Sequence, residues 1–436
     1  MSDVFEGLRA DLAQVRVQTA LGRVTEITGN SLRVTGLGKI ASQGDRVLIG
    51  AHLSGEIVSL EAKAALILAE GNSDGLSIGC DVRLTGKAEI APHETWIGRV
   101  IDPDGQPLDG RPLVRGMVNM ALKAQPPKPN QRRRLGERLS TGVAVFDTLL
   151  PLVRGQRIGL FAGSGVGKST LLAQFARGVE ADVVVIALIG ERGRELREFV
   201  ERVLGKEGMA RAIVITATSD RPALTRRKCA WTAMAVAEFF REMGLHVLFL
   251  ADSITRFAEA HREIATASGE AATLRGFPPS LNQAIMSLAE RSGPGDEGKG
   301  DITAIFSVLV AGSDMEEPVA DILRGVLDGH VVMDRSIAER GRYPAIDLLK
   351  SVSRSLPHAA SEEENLLIAQ ARRYLGAWEK VELMVQAGLY AKGSDPLTDQ
   401  AIKVFPALDA FLAEAAPSDG VEGSFGRLAA VLNSAR

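Results

Sequence analysis

The sequence predicts an α/β protein with an N-terminal β-barrel, a central domain built on a mainly parallel sheet, and a helical C-terminal domain. Three patterns lead to this prediction. Short segments of alternating polarity, separated by Gly, Asn and Asp, fill residues 20–90, as is typical of a small barrel or sandwich. Near-continuous apolar runs alternate with helix-like segments over residues 139–350, which indicates a buried parallel sheet. After Leu356 the pattern is helical.

The chain of 436 residues is also long enough for two or three domains. A Pro- and Arg-rich stretch at residues 125–134 indicates a linker in front of the α/β domain. The predicted parts are an amphipathic helix at residues 1–18, the barrel at 19–95, a connector at 96–138, the α/β domain at 139–355 and the helical domain at 356–436.

The composition argues against several classes of protein. The net charge is −3 and the pI is about 6.2, without the basic excess typical of nucleic-acid binding, so we expect no nucleic-acid partner. The cysteines are Cys80 and Cys229, which favours small buried side chains in a reducing cytosol over a disulfide scaffold. No apolar run approaches the roughly 18 residues that cross a bilayer. We therefore expect a soluble protein, with action at a membrane surface left open.

Helix starts can be predicted from capping residues. Asp3 and Glu6, and again Ser361 and Glu364, have the spacing of a capping box, and Asp395 precedes a proline at the start of a further helical stretch. In the first of these helices the apolar residues at helical spacing are Phe5, Leu8, Leu12 and Val15. This N-terminal helix either packs on its own domain or docks on a partner or a membrane.

A glycine-rich loop stands between a predicted strand at Arg157–Phe161 and a predicted helix at Leu171–Gly178. Strand, loop and helix in this order are the context of a P-loop, in which backbone N–H groups approach phosphate oxygens. The central domain is thus predicted to be a P-loop (RecA-like) domain. The predicted nucleotide-binding residues of the loop are Ala162, Gly163, Ser164, Gly165, Val166, Gly167, Lys168, Ser169 and Thr170.

Two side chains of this loop have predicted roles. Lys168 is expected to reach the β- and γ-phosphates of ATP, and Ser169 to bind Mg²⁺ through its hydroxyl. The first consensus glycine is replaced by Ala162, which weakens the match to the motif and leaves the chemistry intact.

Hydrolysis needs carboxylates beyond the P-loop. Asp252 ends the apolar run at residues 247–251; it is either a turn residue or a second magnesium ligand, and its place after a P-loop favours the ligand. Glu191 follows the apolar run Val183–Ile189 and Gly190. It is either a solvated loop acid or a carboxylate presented beside the phosphates, because ligands of open α/β sheets lie at the carboxyl ends of strands.

With these residues in hand, the chain resembles the rotary ATPase superfamily, and within it the flagellum-specific ATPases of the bacterial flagellar export apparatus. The likeness covers nearly the whole chain and is strongest between Leu139 and Arg354. The segments that carry it are Gly159–Thr170, Gly190–Phe199, Ala251–Phe257, Asp328–His330, Arg340–Asp347, Ser351–Arg354 and Gly393–Pro396.

This resemblance implies roles for four residues. Glu191 matches the catalytic carboxylate, and Arg192 beside it contacts the region of the γ-phosphate. Tyr343 matches the aromatic residue that stacks on adenine. Arg354 matches an arginine that reaches from one subunit into the site of its neighbour. The implied working form is a homohexameric ring with ATP bound between subunits and Mg²⁺ as the metal.

The resemblance also implies partners and a place in the cell. The N-terminal helix is expected to bind a stator-like regulatory export protein and acidic lipid. The C-terminal domain is expected to meet export chaperones and flagellar substrates. The expected location is the cytoplasm, peripheral to the inner membrane and its export gate at the flagellar base.

Other functions stay open at this point. The ATPase of a virulence-type injectisome shares the catalytic motifs. A catalytic subunit of a proton-driven ATP synthase fits less well, because the segment Glu191–Phe199 differs from that branch. A hexameric RNA helicase would need aromatic residues on its barrel, and Phe5 is the only aromatic before Trp96. A non-catalytic ring subunit would not need Glu191.

The chain departs from the family pattern at three places. The stretch Leu281–Leu288 lacks an expected proline, Phe146 stands where isoleucine is common, and in the last dozen residues we identify no family pattern. These departures concern subunit contacts and leave the nucleotide chemistry untouched.

Overall fold

The computed structural model describes residue 9 and residues 19–38, 40–310, 315–416 and 419–434. The helix predicted at residues 1–18 lies outside the described residues, apart from residue 9. Among the residues described, none of the helices is both long and apolar enough to cross a membrane.

Six antiparallel strands close into a barrel in the order β1-β2-β5-β4-β3-β6. Alternate side chains face its interior: in β2, for example, Leu32 and Val34 are fully buried while Arg33 between them is exposed. Each strand with this period of two buries its apolar face inside the barrel, and closure of the barrel leaves no exposed sheet edge. The strands are β1 (Leu21–Thr28), β2 (Ser31–Thr35), β3 (Arg46–Ile49), β4 (Leu53–Leu60), β5 (Ala65–Ala69) and β6 (Asp81–Gly86).

The remaining strands form a large central sheet and one small hairpin-like pair. The sheet order is β17-β16-β10-β15-β13-β11-β12-β8, with β14 beside β15. The strands are β7 (Glu89–Ile90), β8 (Val100–Ile101), β9 (Met120–Ala121), β10 (Arg157–Ala162), β11 (Val183–Glu191), β12 (Ala212–Thr218), β13 (His246–Asp252), β14 (Gly293–Pro294), β15 (Asp301–Leu309), β16 (Gly329–Met333) and β17 (Ile346–Ser353).

The central sheet is mainly parallel: the pairs from β16 through β8 run parallel, while β17 and β14 are antiparallel to their neighbours. Its inner strands are apolar on both faces because helices cover both sides. Strand β11, for example, is buried from Val183 to Gly190. The α/β fold class with an N-terminal barrel is therefore confirmed.

Helices cover the sheet and form the C-terminal region. A π-helical turn at Phe199–Leu204 joins two of them, and short 3-10 turns lie at Glu94–Trp96 and Leu274–Gly276. The described helices are α1 (Ala144–Asp147), α2 (Lys168–Gly178), α3 (Gly193–Glu198), α4 (Gly205–Met209), α5 (Ala223–Glu242), α6 (Ile254–Ala267), α7 (Ser280–Glu290), α8 (Pro318–Val326), α9 (Arg335–Glu339), α10 (Glu362–Gln386), α11 (Pro396–Phe411) and α12 (Gly420–Asn433).

The C-terminal region consists of α10, α11 and α12. The predicted capping box is confirmed: the Ser361 hydroxyl accepts from the N–H of Glu364, and the Glu364 carboxylate accepts from the N–H of Ser361. Asp395 caps α11 by accepting from the N–H of Thr398. These caps satisfy N–H groups that a helix start otherwise leaves unpaired.

Part of the predicted connector joins the central sheet. Val100 and Ile101 form β8, which pairs with β12 at the edge of the sheet. A two-residue strand has no periodicity that the sequence could reveal. At the position of the unusual Phe146, the ring packs edge-on against Phe175 of α2, with centroids 4.7 Å apart, so this residue supports the helix that follows the P-loop.

A cluster of buried charges ties the barrel to helix α5. Lys228 of α5 lies 2.7 Å from both Glu70 of the barrel and Asp104 of the connector. Its neighbour Arg227 pairs with Glu56 of the barrel at 3.2 Å. The Asp104 carboxyl is partly buried, which by itself raises its pKa, but Lys228 and Arg46 together hold the pKa below the ordinary value. The barrel is thus joined to the central domain by charge-assisted hydrogen bonds and not by chain connectivity alone.

Candidate active site

Three strands of the central sheet end at the same edge and carry the predicted site residues. Strand β10 leads into the P-loop, β13 ends at Asp252 and β11 ends at Glu191. In the sheet, β15 separates β10 from β13, and β11 lies next to β13. Because parallel strands bring their carboxyl ends to the same edge, the sequence places all three features together.

The P-loop needs glycine at two positions. Gly165 and Gly167 have φ values of 78° and 88°, in the left-handed region that costs other residues steric strain. Helix α2 then begins at Lys168, so its first N–H groups and its dipole point towards the loop. Ala162, which replaces the first consensus glycine, is the last residue of β10 and is buried in the core. Its methyl group therefore packs in the interior and leaves the loop free.

A cavity of about 540 Å³ opens in front of the P-loop. It is large enough for a nucleotide, whose class of site typically spans about 300–1,000 Å³. Its lining combines P-loop residues with charged side chains from β11 and helices α3, α5 and α6. The lining residues are Gly163, Ser164, Gly165, Gly167, Lys168, Ser169, Thr170, Gly190, Glu191, Arg192, Glu195, Ser219, Arg226, Arg256, Glu259 and Leu309.

Lys168 and Asp252 form a buried ion pair at the base of this cavity, between Lys168 Nζ and Asp252 Oδ1. The same carboxylate oxygen accepts a hydrogen bond of 2.7 Å from the Ser307 hydroxyl. Ser169 is exposed on the cavity wall, next to Lys168. Both predicted metal ligands thus lie close to Lys168. Ser169 is the next residue in the chain, and Asp252 forms the ion pair with the lysine.

Glu191 is partly buried at the cavity wall, after Gly190, whose φ is 71°. Its pKa is raised to about 7. Burial is the first cause and the negative charge of Asp252 the second, while Lys168 opposes both. A carboxyl with a pKa near neutrality at the edge of a cleft exchanges a proton readily, which is the property that general acid–base chemistry requires.

The other predicted residues take different places. Arg192 is exposed at the cavity rim and pairs with Glu195 at 3.0 Å. Tyr343 is half exposed and lies against Gly167 of the P-loop. Arg354 follows β17, is exposed, and donates to the carbonyl of Arg324 at 3.1 Å. Arg354 is not among the described residues that line the cavity. Within one chain, this arginine therefore lies outside the site.

Two cavity arginines have no role in the sequence predictions. Arg226 pairs with Glu263 at 2.8 Å, and Arg256 pairs with Glu259 at 2.8 Å. Both arginines lie on helices. The only sign in the sequence that they could line a site is a charged residue on a helix that is otherwise buried. Arg256 lies within Ala251–Phe257, a segment that carries the family resemblance, but the resemblance implies no role for it. These arginines add positive charge where phosphate groups are expected.

The fold and this cavity define the class: the protein is a P-loop ATPase with a mainly parallel sheet. Residues 142–353 match the ATP synthase alpha/beta family, nucleotide-binding domain, and residues 360–417 match the T3SS EscN ATPase C-terminal domain. The chain belongs to this family of flagellum-specific and type 3 secretion ATPases.

Relatives cover almost the entire chain. The flagellum-specific ATP synthase of Caulobacter vibrioides is 43% identical over 99% of this chain and 100% of its own length. The type 3 secretion system ATPase of Xanthomonas euvesicatoria is 42% identical over 94% of this chain and 93% of its own. The assembled ATPase EscN from the type III secretion system of enteropathogenic E. coli is similar in structure. It has a TM-score of 0.87 and 36% identity, and the match covers 94% of this chain and 100% of EscN.

Proposed function

We propose that this chain hydrolyses ATP as the ATPase of a flagellar protein export apparatus, and that it works as a homohexameric ring. The observation that carries the proposal is Glu191, a carboxyl of raised pKa at the wall of the P-loop cavity. The ring would couple ATP turnover to chaperone release, unfolding and export of flagellar subunits. The flagellar branch is favoured by the relative from Caulobacter vibrioides, which matches over its full length.

The proposed binding roles follow the chemistry of each group. Lys168 and the N–H groups of the P-loop hold the phosphates. Ser169 and Asp252 offer a hydroxyl and a carboxylate, the hard oxygen ligands that fit Mg²⁺, which keeps most of its other ligands as water or phosphate oxygens. When bound, the metal supplies positive charge that neutralises the phosphate oxygens. Tyr343 offers its ring to the adenine base.

The proposed catalytic roles fall to Glu191 and two arginines. Glu191 orients a water molecule for attack on the γ-phosphate and accepts a proton from it. Arg192 contacts the γ-phosphate region from the cavity rim. Arg354 of a neighbouring copy supplies a second arginine beside Arg192. Within one chain, Arg354 bonds to the carbonyl of Arg324 and does not line the cavity of that chain. An arginine supplied in this way is worth about 10³–10⁵-fold in rate.

Membership in the family also supports a proposal about partners and location. We propose that the N-terminal segment binds a stator-like regulatory protein and that the C-terminal helices meet export chaperones and substrates. The ring would lie in the cytoplasm against the inner-membrane export gate. An injectisome ATPase is the second candidate, favoured by the 42% identity to the type 3 secretion system ATPase of Xanthomonas euvesicatoria.

The test combines two inactive variants, Glu191→Gln and Arg354→Ala. Each is expected to be nearly inactive alone. In mixed rings of equal proportions, about a quarter of the interfaces pair an intact Glu191 with an intact Arg354 if assembly is random, so activity returns. Glu198→Gln, an exposed carboxylate of α3 that is not among the described cavity-lining residues, serves as the control and should keep most of the activity.

Two outcomes would contradict the proposal. If Glu191→Gln alone retains the wild-type rate of phosphate release, the catalytic assignment is wrong. If the two variants co-assemble, as shown by pull-down of differently tagged copies, and activity does not return, Arg354 does not act between subunits.

A further inference from the structure

Ser307 lies in the sheet between the two strands that carry the phosphate and metal chemistry. Its strand, β15, pairs with β10 on one side and β13 on the other. In the register with β10, Ser307 lies opposite Leu160, and its neighbour Phe306 lies opposite Ala251 of β13. The side chain is fully buried. A hydroxyl at this depth costs free energy unless it is hydrogen-bonded.

The hydroxyl donates to Asp252 Oδ1 at 2.7 Å, the oxygen that also pairs with Lys168. The two donors differ in how they are held. Lys168 has a long flexible side chain, and its proposed role requires its ammonium group to contact phosphate. Ser307 has a short side chain on a central strand, so its hydrogen bond with Asp252 does not depend on where the lysine points.

We propose that Ser307 is a positioning residue that holds the Asp252 carboxylate for Mg²⁺, an inference that rests on the proposed function. By anchoring one oxygen, the hydroxyl fixes the rotation of the carboxylate when Lys168 moves to the phosphates. As a neutral donor, it neither competes with the cation for the site nor repels it. Partners of this kind orient metal ligands, and their loss typically lowers metal affinity or activity about 10–100-fold.

A structural comparison residue lies on the same strand. Thr303 is also fully buried, and its hydroxyl contacts His246 Nε2 at 2.8 Å and accepts from the N–H of Gly155 at 2.9 Å. It is four residues from Ser307 along β15, about 13 Å away at the usual rise of a strand. Removal of its hydroxyl breaks buried hydrogen bonds without touching Asp252.

The experiment measures how strongly Mg²⁺ assists nucleotide binding. The dissociation constant of a fluorescent ADP analogue is determined with EDTA and with Mg²⁺, and the ratio of the constant in EDTA to the constant in Mg²⁺ is compared among variants. Ser307→Ala is expected to lower this ratio about 10-fold relative to wild type, in the direction of Asp252→Asn. Thr303→Ala should leave the ratio unchanged, although it lowers the thermal unfolding temperature. Ser307→Thr and Ser307→Val have similar shapes and differ in the hydroxyl, so only the threonine variant should restore the ratio.

The outcomes separate this inference from the proposed function. If wild-type protein shows no Mg²⁺-assisted nucleotide binding, the proposed function fails. If wild type shows it and the Ser307→Ala and Ser307→Val variants, folded by circular dichroism, keep the wild-type ratio, the inference about Ser307 is wrong. An equal loss of the ratio in Thr303→Ala would also overturn it, because the effect would then come from general loosening of β15.

Discussion

The ring of Tyr343 lies directly against Gly167, the P-loop residue that precedes helix α2. A Cβ atom added to Gly167 would be 3.1 Å from Tyr343 Cδ1 and 3.3 Å from Cε1. Tyr343 stands in the loop before β17, far from the P-loop in the sequence. The proposed adenine platform and the phosphate loop therefore lie next to each other, with no room for a side chain at Gly167.

Tyr343 should contribute to nucleotide affinity through its ring. Tyr343→Ala is expected to weaken ATP binding by about 1–3 kcal/mol, the typical value of stacking a base on an aromatic side chain. Tyr343→Phe keeps the ring and should bind nearly as tightly as wild type. Isothermal titration calorimetry with a non-hydrolysable ATP analogue measures both. Tyr390→Ala, in the C-terminal region, is the control; an equal loss there would show that the effect is not local.

Gly167→Ala should impair the P-loop for two reasons, the left-handed backbone and the contact with Tyr343. Gly298 has a similar φ of 80° and open space around its Cα. Gly298→Ala therefore carries only the backbone strain, of order 1 kcal/mol. Chemical denaturation should show a larger loss of stability for Gly167→Ala than for Gly298→Ala, and only the former should lose nucleotide affinity. Equal losses of stability would mean that the Tyr343 side chain gives way without cost.

The rate of ATP hydrolysis should depend on pH through Glu191. As the base, Glu191 must be ionised, and its pKa is raised to about 7. The value of kcat/KM, which reports the free enzyme, should therefore rise with pH up to about 7 and level off above it. Steady-state phosphate release between pH 5.5 and 9 checks this. A flat profile over this range, as a carboxyl of ordinary pKa would give, would contradict the raised value.

The stability of the folded protein should fall with rising pH because of Glu191, whereas the rate of hydrolysis should rise. A carboxyl whose pKa is higher in the folded than in the unfolded state favours folding when protonated, and this advantage is lost as pH rises from about 4.5 through about 7. Glu191→Gln is neutral at every pH. It should therefore unfold at a higher temperature than wild type at pH 8, with a smaller difference at pH 5. Differential scanning calorimetry at both pH values measures it, and an unchanged difference would exclude the burial of this charge.

The buried charge cluster at the barrel should matter far more than exposed pairs on the barrel. Lys228→Met removes one of the two cations that pair with both Glu70 and Asp104, the other being Arg46, and should cost about 1.5–3 kcal/mol of unfolding free energy. Arg23→Met breaks the exposed pair with Asp81, at 3.6 Å, and should cost below about 1 kcal/mol. Urea denaturation compares the two variants. Similar costs would show that the cluster is screened by solvent.

Much of the fold is predictable because it depends on local periodicity. The barrel strands alternate with a period of two, and the inner strands of the central sheet are continuous apolar runs, so both patterns are visible in the sequence. The convergence of Glu191, Asp252 and the P-loop follows from the rule that parallel strands end at the same edge.

Other features depend on contacts that no local pattern encodes. The hydrogen bond from Ser307 to Asp252 requires the strand order, which places β15 between β10 and β13. The arginines Arg226 and Arg256 reach the cavity from helices whose rotation on the sheet is set by packing. The role of Tyr343 rests on family likeness alone, because an aromatic residue before a proline is commonly a turn residue.

Helix α5 joins two distant parts of the molecule within one turn. Arg226 lines the nucleotide cavity, while Arg227 and Lys228 bond to acidic residues of the barrel. Successive residues of one helical turn project in different directions, so this single turn contacts both the nucleotide cavity and the barrel. Any ligand that shifted this turn of α5 would therefore act on the barrel directly, without the linker between the domains.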